Sequence, residues 1–269
     1  GRRGDGYHEL DSLVAFAAHG DEVIYEADTI ARATSVDGPF AAAIDGPNLI
    51  DRVVSAVSRW RDVGERGSFR LLKNLPVAAG LGGGSADAAA ALRLLRRRLG
   101  DDDHLEDRWK LIARSVGADV PVCLGSRLSV MRGSGERTTM LPAVEPLPAV
   151  LVNPGVRLST RDVFEELQAP AVVGTGDADL PADFTDPAGL VAAIASGRND
   201  LEAPAMRLQP VIGDVLAAIA ETPECQVARM SGSGPTCFGV YPTSAAAQSA
   251  AARLSSRQPH WWVVATELS

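Results

Sequence analysis

Asn74-Leu-Pro-Val-Ala-Ala-Gly-Leu-Gly-Gly-Gly-Ser-Ala-Asp-Ala-Ala-Ala-Ala-Leu-Arg-Leu-Leu-Arg-Arg-Arg-Leu-Gly100 passes from a glycine-rich loop straight into a helix-forming run. Gly80, Gly82, Gly83 and Gly84 have no Cβ to bar positive φ or close approach, so the amides of this loop can turn inward around an anion. Ser85 is a favourable N-cap and the alanines behind it have high helix propensity, which predicts a helix from Ser85 to Gly100. Gly100 suits the C′ position, and Arg96, Arg97 and Arg98 complement the dipole in the last turn. The positive helix end would face the glycines, so nest and dipole converge on one anion site. The plain alternative, a flexible loop ahead of an amphipathic helix, spends chain entropy on several glycines for no return.

Common nucleotide motifs do not fit. A P-loop needs Lys-Ser or Lys-Thr after its last glycine, and Gly84 is followed by Ser85-Ala86. A dinucleotide fingerprint beginning at Gly80-Leu-Gly82 would need glycine at position 85 and meets Ser85. Phe69-Arg-Leu-Leu-Lys73 reads as a strand feeding the loop, which would mount the sensitive backbone between a strand and a helix.

The 269 residues allow two domains at roughly 150 residues each. An apolar share of 46% is that of a globular chain, and no run approaches the roughly 20 apolar residues of a membrane span. We therefore expect a cytoplasmic protein without a membrane partner. A net charge of −8 argues against non-specific nucleic-acid binding while leaving room for a local basic pocket. Lys73 and Lys110 are the only lysines. Cys123, Cys225 and Cys237 are odd in number and lack Cys-x-x-Cys spacing, so they read as reduced core residues. The four histidines show no ligand spacing, and we expect no structural metal.

Around the glycine loop the patterns are ordinary. Leu13, Val14 and Phe16, then Val23, Ile24 and Tyr25 after a turn at His19-Gly20-Asp21, suggest a hairpin. Gly6-Tyr7-His8 before it sets an aromatic ring beside an imidazole: either a turn with a half-buried tyrosine or a surface for a flat base. Asn48 caps a helical stripe running to Trp60, itself read as core, and Leu105 to Val116 forms another helix. Asp119, in the apolar turn Gly117-Ala-Asp-Val-Pro121, is either a cap or a general base. Ser129 to Leu141 reads as a hairpin, and Pro142 to Pro148 as a linker. Beyond it lie a strand at Ala149 to Val152, a helix over Ser159 to Leu167 with Thr160 near its cap, and a polar loop from Gly174 to Asp186. Helical patterns at Asn199 and from Val211 to Ala220 follow, then strands at Val227 to Met230, Thr236 to Tyr241 and Trp261 to Val264, with a helix at Ser244 to Leu254. This order suggests helices on one face of an antiparallel sheet, with a second glycine loop, Ser231-Gly-Ser-Gly-Pro235, between its strands.

Pro76-Val-Ala-Ala-Gly-Leu-Gly-Gly-Gly-Ser-Ala-Asp-Ala-Ala89, the Asp119 turn and Met230-Ser-Gly-Ser-Gly-Pro235 follow one another as the motifs of the GHMP kinases do, and the chain resembles that family over nearly its whole length. Gly1-Arg-Arg-Gly-Asp-Gly-Tyr-His-Glu-Leu10 resembles the segment of the branch that phosphorylates the 2-hydroxyl of a cytidine diphosphate-linked methylerythritol in the non-mevalonate isoprenoid route. The resemblance implies a two-domain α+β fold: an N-terminal ATP-binding α/β domain over 1–145, its first strand upstream of Gly1, and a C-terminal domain of antiparallel sheet and helices over 146–269. It implies that Val77, Ala78, Ala79, Gly80, Leu81, Gly82, Gly83, Gly84, Ser85, Ala86 and Asp87 wrap the phosphates of ATP, with Ser85 a candidate Mg²⁺ ligand. Asp119 becomes the base for the attacking hydroxyl, while Tyr7, His8 and Phe164 hold the cytosine with Thr160 nearby.

The family also carries a Pro-x-x-Lys-x-Asn segment upstream of Gly-Tyr-His, whose lysine neutralises charge at the transferred phosphate; we expect it to precede Gly1 in the natural protein, and neither Lys73 nor Lys110 sits in that motif. Two other readings stand beside this one: a GHMP kinase of homoserine or mevalonate type, whose substrates have no base to stack, and a nucleotide-binding protein without turnover.

Overall fold

The computed structural model describes residues 1–4, 8–27, 34–61, 67–100, 105–171 and 186–269. Its first half holds two small sheets. In one, β2 (Glu22–Glu26) pairs antiparallel with β4 (Ser68–Leu72), and β3 (Ser35–Asp37) lies parallel on the other side of β4. In the other, β1 (Leu10–Val14) pairs with β5 (Ser129–Gly133), and β5 with β6 (Arg137–Met140). The hairpin expected between Leu13 and Tyr25 therefore does not form: its two strands go to different sheets, and Leu10 pairs with Gly133 instead. Period-2 patterning marks a strand without naming its partner. The hairpin expected over Ser129 to Leu141 does form as β5 and β6.

Four helices cover these sheets: α1 (Leu49–Ser58), α2 (Gly83–Leu99), α3 (Glu106–Val116) and α4 (Val120–Gly125). The Asn48 Oδ1 accepts from the Ile50 N–H at 2.9 Å, the cap its sequence position predicts. Apolar residues at Ile50, Val53 and Val57 of α1, Ala88, Leu92 and Leu95 of α2 and Trp109, Ile112 and Val116 of α3 meet in one core with Phe69 and Leu71 of β4. Trp60 packs at the margin of that core, edge-on to Trp109 with ring centroids 5.3 Å apart.

The second half is a four-stranded antiparallel sheet of order β10-β7-β9-β8, built from β7 (Leu147–Asn153), β8 (Val227–Met230), β9 (Cys237–Val240) and β10 (Trp262–Leu268). With it go α5 (Thr160–Leu167), α6 (Pro187–Ser196), α7 (Glu202–Leu208), α8 (Val211–Ala220) and α9 (Ser244–Arg257). Val150, Val152, Ile212, Val215, Ile219 and Leu254 form a second core. Leu128, Leu147, Leu190 and Val240 form a third, which Leu13 and Leu141 also join. Phe16 and Ser269 exchange backbone hydrogen bonds at 2.8 and 2.9 Å, so the chain beyond β1 is stitched to the end of β10. The result is the mixed α+β fold that the motifs imply.

Candidate active site

The glycine loop connects β4 to α2 as expected, but α2 begins earlier than the sequence suggests. Gly82, at φ +65°, is its N-cap and no side chain caps it, so Ser85 lies inside the first turn instead of ahead of it. Ser85 is the better capping residue by preference, yet the left-handed backbone at Gly82 lets the helix start there. The first turn contains no acidic residue. A 17-residue helix thus presents an uncapped positive end, and the exposed Gly82 and Gly84 leave its approach free of side chains. Ala78, Gly80 and Gly82 all take positive φ, at 54°, 71° and 65°. Such alternation turns amides to one side, as an anion-holding nest does. The far end matches expectation, with Gly100 at φ +64° closing the helix behind Arg96, Arg97 and Arg98.

The two glycine loops touch. A methyl group on Gly80 would stand 2.6 Å from the carbonyl oxygens of Ser231 and Gly234. The Ser231 hydroxyl donates to the Gly80 carbonyl at 2.9 Å, and the Thr236 N–H to the Ala79 carbonyl at 3.2 Å. One wall of the anion site is therefore supplied by each half of the chain.

Behind the loop lies a group that sequence reading missed. The Lys73 ammonium, 4% exposed at the end of β4, is clamped between the carboxylates of Asp21 and Asp87, the latter at 3.1 Å. Asp21 Oδ1 also accepts the Asn74 and Leu75 N–H groups at 2.6 and 2.8 Å where the loop begins. Asp87 thus faces inward to Lys73, in contrast to the nearby exposed glycines. Burial pushes its carboxyl up to about 6 against the pull of Lys73. A carboxylate among Ala88, Ala89 and Ala91, all buried, was the available signal. Lys73→Met would leave two buried carboxylates facing each other. We expect a loss of about 3 to 5 kcal/mol of stability, measured by chemical denaturation.

Asp119 occupies the N-cap position of α4 but makes no capping hydrogen bond, so geometry disfavours the cap reading. The residue is open to solvent, yet crowding by protein atoms raises its carboxyl above the ordinary range. Helix α4 is tied to α2 through Arg93, which donates to the Cys123 and Leu124 carbonyls at 2.8 and 3.4 Å. Burial pushes the Cys123 thiol up to about 12, with Asp119 and Asp87 both adding to the shift, so the two carboxylates lie within electrostatic reach of one sulfur. Asp119 thus stands at the N-terminal end of a helix that packs on α2.

His8 and Phe164, distant in sequence, stack with centroids 4.6 Å apart and planes 31° from parallel. Burial lowers the imidazole pKa and favours its neutral form. The segment carrying His8 is anchored by a bridge between Arg2 and His8 and by the Arg2 N–H on the Pro170 carbonyl at 2.8 Å. One turn before Phe164, the Thr160 hydroxyl lies 2.8 Å from that of Ser233, so α5 links the ring pair to the second glycine loop. Tyr7, the third residue expected on the base, lies outside the described residues.

The uncapped end of α2 suits the phosphates of a nucleotide. The Asn48 Nδ2 is buried with no partner among the described residues, while Leu49 next to it comes within 3.5 Å of a methyl built on Gly84. An orphaned amide donor beside the glycine loop is what an acceptor-rich ligand would complete. The sequence position of Asn48 signals its capping role alone.

The N-terminal domain model of the GHMP kinases matches residues 48–127, and the C-terminal model residues 185–260. A protein of Dinoroseobacter shibae named 4-diphosphocytidyl-2-C-methyl-D-erythritol kinase is 47% identical, covering 100% of this chain and 89% of its own length. One of Paramagnetospirillum magneticum with the same name is 45% identical, covering 100% and 93%. A crystal structure of 4-(cytidine 5'-diphospho)-2C-methyl-D-erythritol kinase superposes with a TM-score of 0.78 at 32% identity, covering 100% of this chain and 93% of that one. A homoserine kinase from Cytophaga hutchinsonii shares the fold at 17% identity and a TM-score of 0.65, covering 93% and 87%. With its uncapped helix end, its paired glycine loops and these matches in both halves, the chain belongs to the GHMP kinase family, and it is an ATP-dependent small-molecule kinase.

Proposed function

We propose that the chain transfers the γ-phosphoryl group of ATP to the 2-hydroxyl of 4-diphosphocytidyl-2-C-methyl-D-erythritol, releasing ADP, with residues 1–145 as the ATP-binding half and 146–269 as its complement. The observation that carries the substrate is the stacked pair of His8 and Phe164, tied through Thr160 to the second glycine loop. An aromatic face beside a neutral imidazole suits a pyrimidine: the ring stacks, and the imidazole donates at one nitrogen and accepts at the other. Homoserine and mevalonate would leave that surface without a use.

In this reading the amides from Val77 to Ala86 and the α2 dipole hold the phosphate oxygens, and Asp87 acts from behind through Lys73. Asp119 orients the acceptor hydroxyl and takes its proton as oxygen bonds to the γ-phosphorus and ADP departs. Crowding by protein atoms brings the Asp119 carboxyl nearer to working pH, where a base is more effective. Phosphoryl transfer asks the protein chiefly for position and charge neutralisation. Among the described residues no three His, Cys, Asp or Glu side chains converge on a metal site. A Mg²⁺ would therefore rest on phosphate oxygens and the Ser85 hydroxyl, where it would neutralise phosphate charge.

The test is Phe164→Ala. Loss of a base-stacking face is worth about 1 to 3 kcal/mol, so KM for the cytidine substrate should rise about 5- to 100-fold while KM for ATP stays within threefold. Unchanged KM for the cytidine substrate would remove this basis for the assignment. Among the described residues no helix is long and apolar enough to cross a membrane.

A further inference from the structure

The second glycine loop is gripped from one side by two residues at the start of α7. Asn199 Nδ2 donates to the carbonyls of Met230 at 2.9 Å and Gly232 at 2.7 Å, while its Oδ1 accepts the Leu201 N–H at 2.9 Å. Glu202 Oε2 accepts the Met230 N–H at 3.0 Å. Every polar atom of the Asn199 amide is thus engaged, and two of its three bonds fix carbonyl directions in the loop.

A trans peptide is planar, with its C=O and N–H pointing opposite ways. Fixing the Gly232 carbonyl on Asn199 therefore sends the Ser233 N–H away from α7. Ser233 is 7% exposed, yet among the described residues its N–H has no acceptor. Of the other amides of the loop, Ser231 N–H goes to the Thr236 carbonyl at 2.9 Å and Gly234 N–H to the Ser231 carbonyl at 2.8 Å, while Gly232, whose N–H likewise has no acceptor among the described residues, is exposed to water. Buried backbone donors are nearly always paired, so one left open in a loop seated on Gly80 calls for an acceptor that arrives later. The Ser233 hydroxyl is already held against Thr160, which fixes the residue from its side-chain end as well.

We infer that the Ser233 backbone N–H donates to an oxygen of the transferred phosphoryl group, and that Asn199 is the positioning residue that aims it. The inference rests on the kinase reading above. The acceptor is a phosphoryl oxygen because the loop contacts the phosphate-holding loop directly, through the Gly80 carbonyl. A fixed donor aimed where charge is redistributed acts on the transition state more than on bound ATP.

The test uses Asn199→Asp, which preserves size and the acceptor for the Leu201 N–H but sets a carboxylate oxygen against two carbonyls, and Asn199→Ala, which only deletes the clip. Both are assayed below their melting temperatures, by ADP release with 4-diphosphocytidyl-2-C-methyl-D-erythritol. Removing one oxyanion donor costs about 10²- to 10³-fold; for a donor misdirected but still present we expect kcat to fall about 30-fold or more. KM for ATP should stay within threefold, and inhibition by ADP with aluminium fluoride, a mimic of the transferring group, should weaken by the same factor as kcat. A merely structural clip would lower the melting temperature and leave that inhibition at its parent value. An active parent with folded variants of unchanged kcat, or changed only in KM, overturns the inference alone. A parent that turns over no cytidine substrate overturns the functional reading and this one with it.

Discussion

Asp119→Asn should lower kcat about 10³-fold with the cytidine substrate while KM for ATP stays within threefold. The substitution keeps the shape of a side chain that makes no capping hydrogen bond, so α4 and its tie to Arg93 remain. What is lost is the acceptor of the hydroxyl proton, a contribution of about 10²- to 10⁴-fold in general-base catalysis. Stability supplies an internal control. Because crowding by protein atoms raises the folded-state pKa of Asp119, its charged form is disfavoured in the fold, so stability falls as pH rises from the unfolded carboxylate pKa through the raised folded one. At neutral pH the asparagine variant should therefore melt at the same temperature as the parent or higher. In the parent, the acid limb of the kcat profile should lie above the ordinary Asp value of about 3.9, with activity rising as pH rises through it. A variant that is less stable and retains activity would assign Asp119 a structural role.

Gly80→Ala should damage stability and the use of ATP together. The added carbon would lie 2.6 Å from two carbonyl oxygens and 2.8 Å from the Gly234 nitrogen, at a backbone φ of +71°. Left-handed strain of about 1 to 2 kcal/mol and overpacking of about 1 to 3 kcal/mol act together, and both obstacles are backbone that cannot swing aside. Because the contact joins the halves that build the anion site, kcat/KM for ATP should fall more than 100-fold alongside the stability loss. Gly82→Ala is the matched comparison: φ is +65° but the methyl meets nothing within 4 Å, so it should cost only the strain. Equal effects from the two variants, in denaturation and in ATP kinetics, would show that loop contact carries no weight.

The parts of this site that the sequence made legible are those governed by local rules. Glycines ahead of an alanine run, Asn48 before an apolar stripe and Gly100 after three arginines each act through their own neighbours, and each appears where expected. Where a local preference competes with backbone geometry the reading slips: Ser85 lost the cap position because Gly82 adopts a left-handed conformation three residues earlier. The short α4, with Val120 and Pro121 in its first turn, looks like a turn from propensity and is stabilised by packing on α2 and by Arg93. Helix α6 lies outside the sequence expectation although Asp186 and Pro187 are start signals, and Asp186 does accept the Gly189 N–H at 2.7 Å. Non-local pairings were out of reach. Nothing in the order of residues says that Lys73 meets both Asp21 and Asp87, that Asn199 holds the second glycine loop, or that Leu10 lies opposite Gly133. His8 against Phe164 is the instructive exception, since the resemblance linked two residues that periodicity could not.

Acceptor choice tests the account most directly. ADP release by the full-length protein would be followed with ATP and, in turn, 4-diphosphocytidyl-2-C-methyl-D-erythritol, homoserine and mevalonate at equal concentration, with ATP binding measured separately by calorimetry. We expect turnover with the cytidine compound alone, lost in Asp119→Asn while ATP still binds. Turnover of homoserine or mevalonate in preference would contradict the substrate, and ATP binding without ADP release from any of the three would contradict the assignment of this active site.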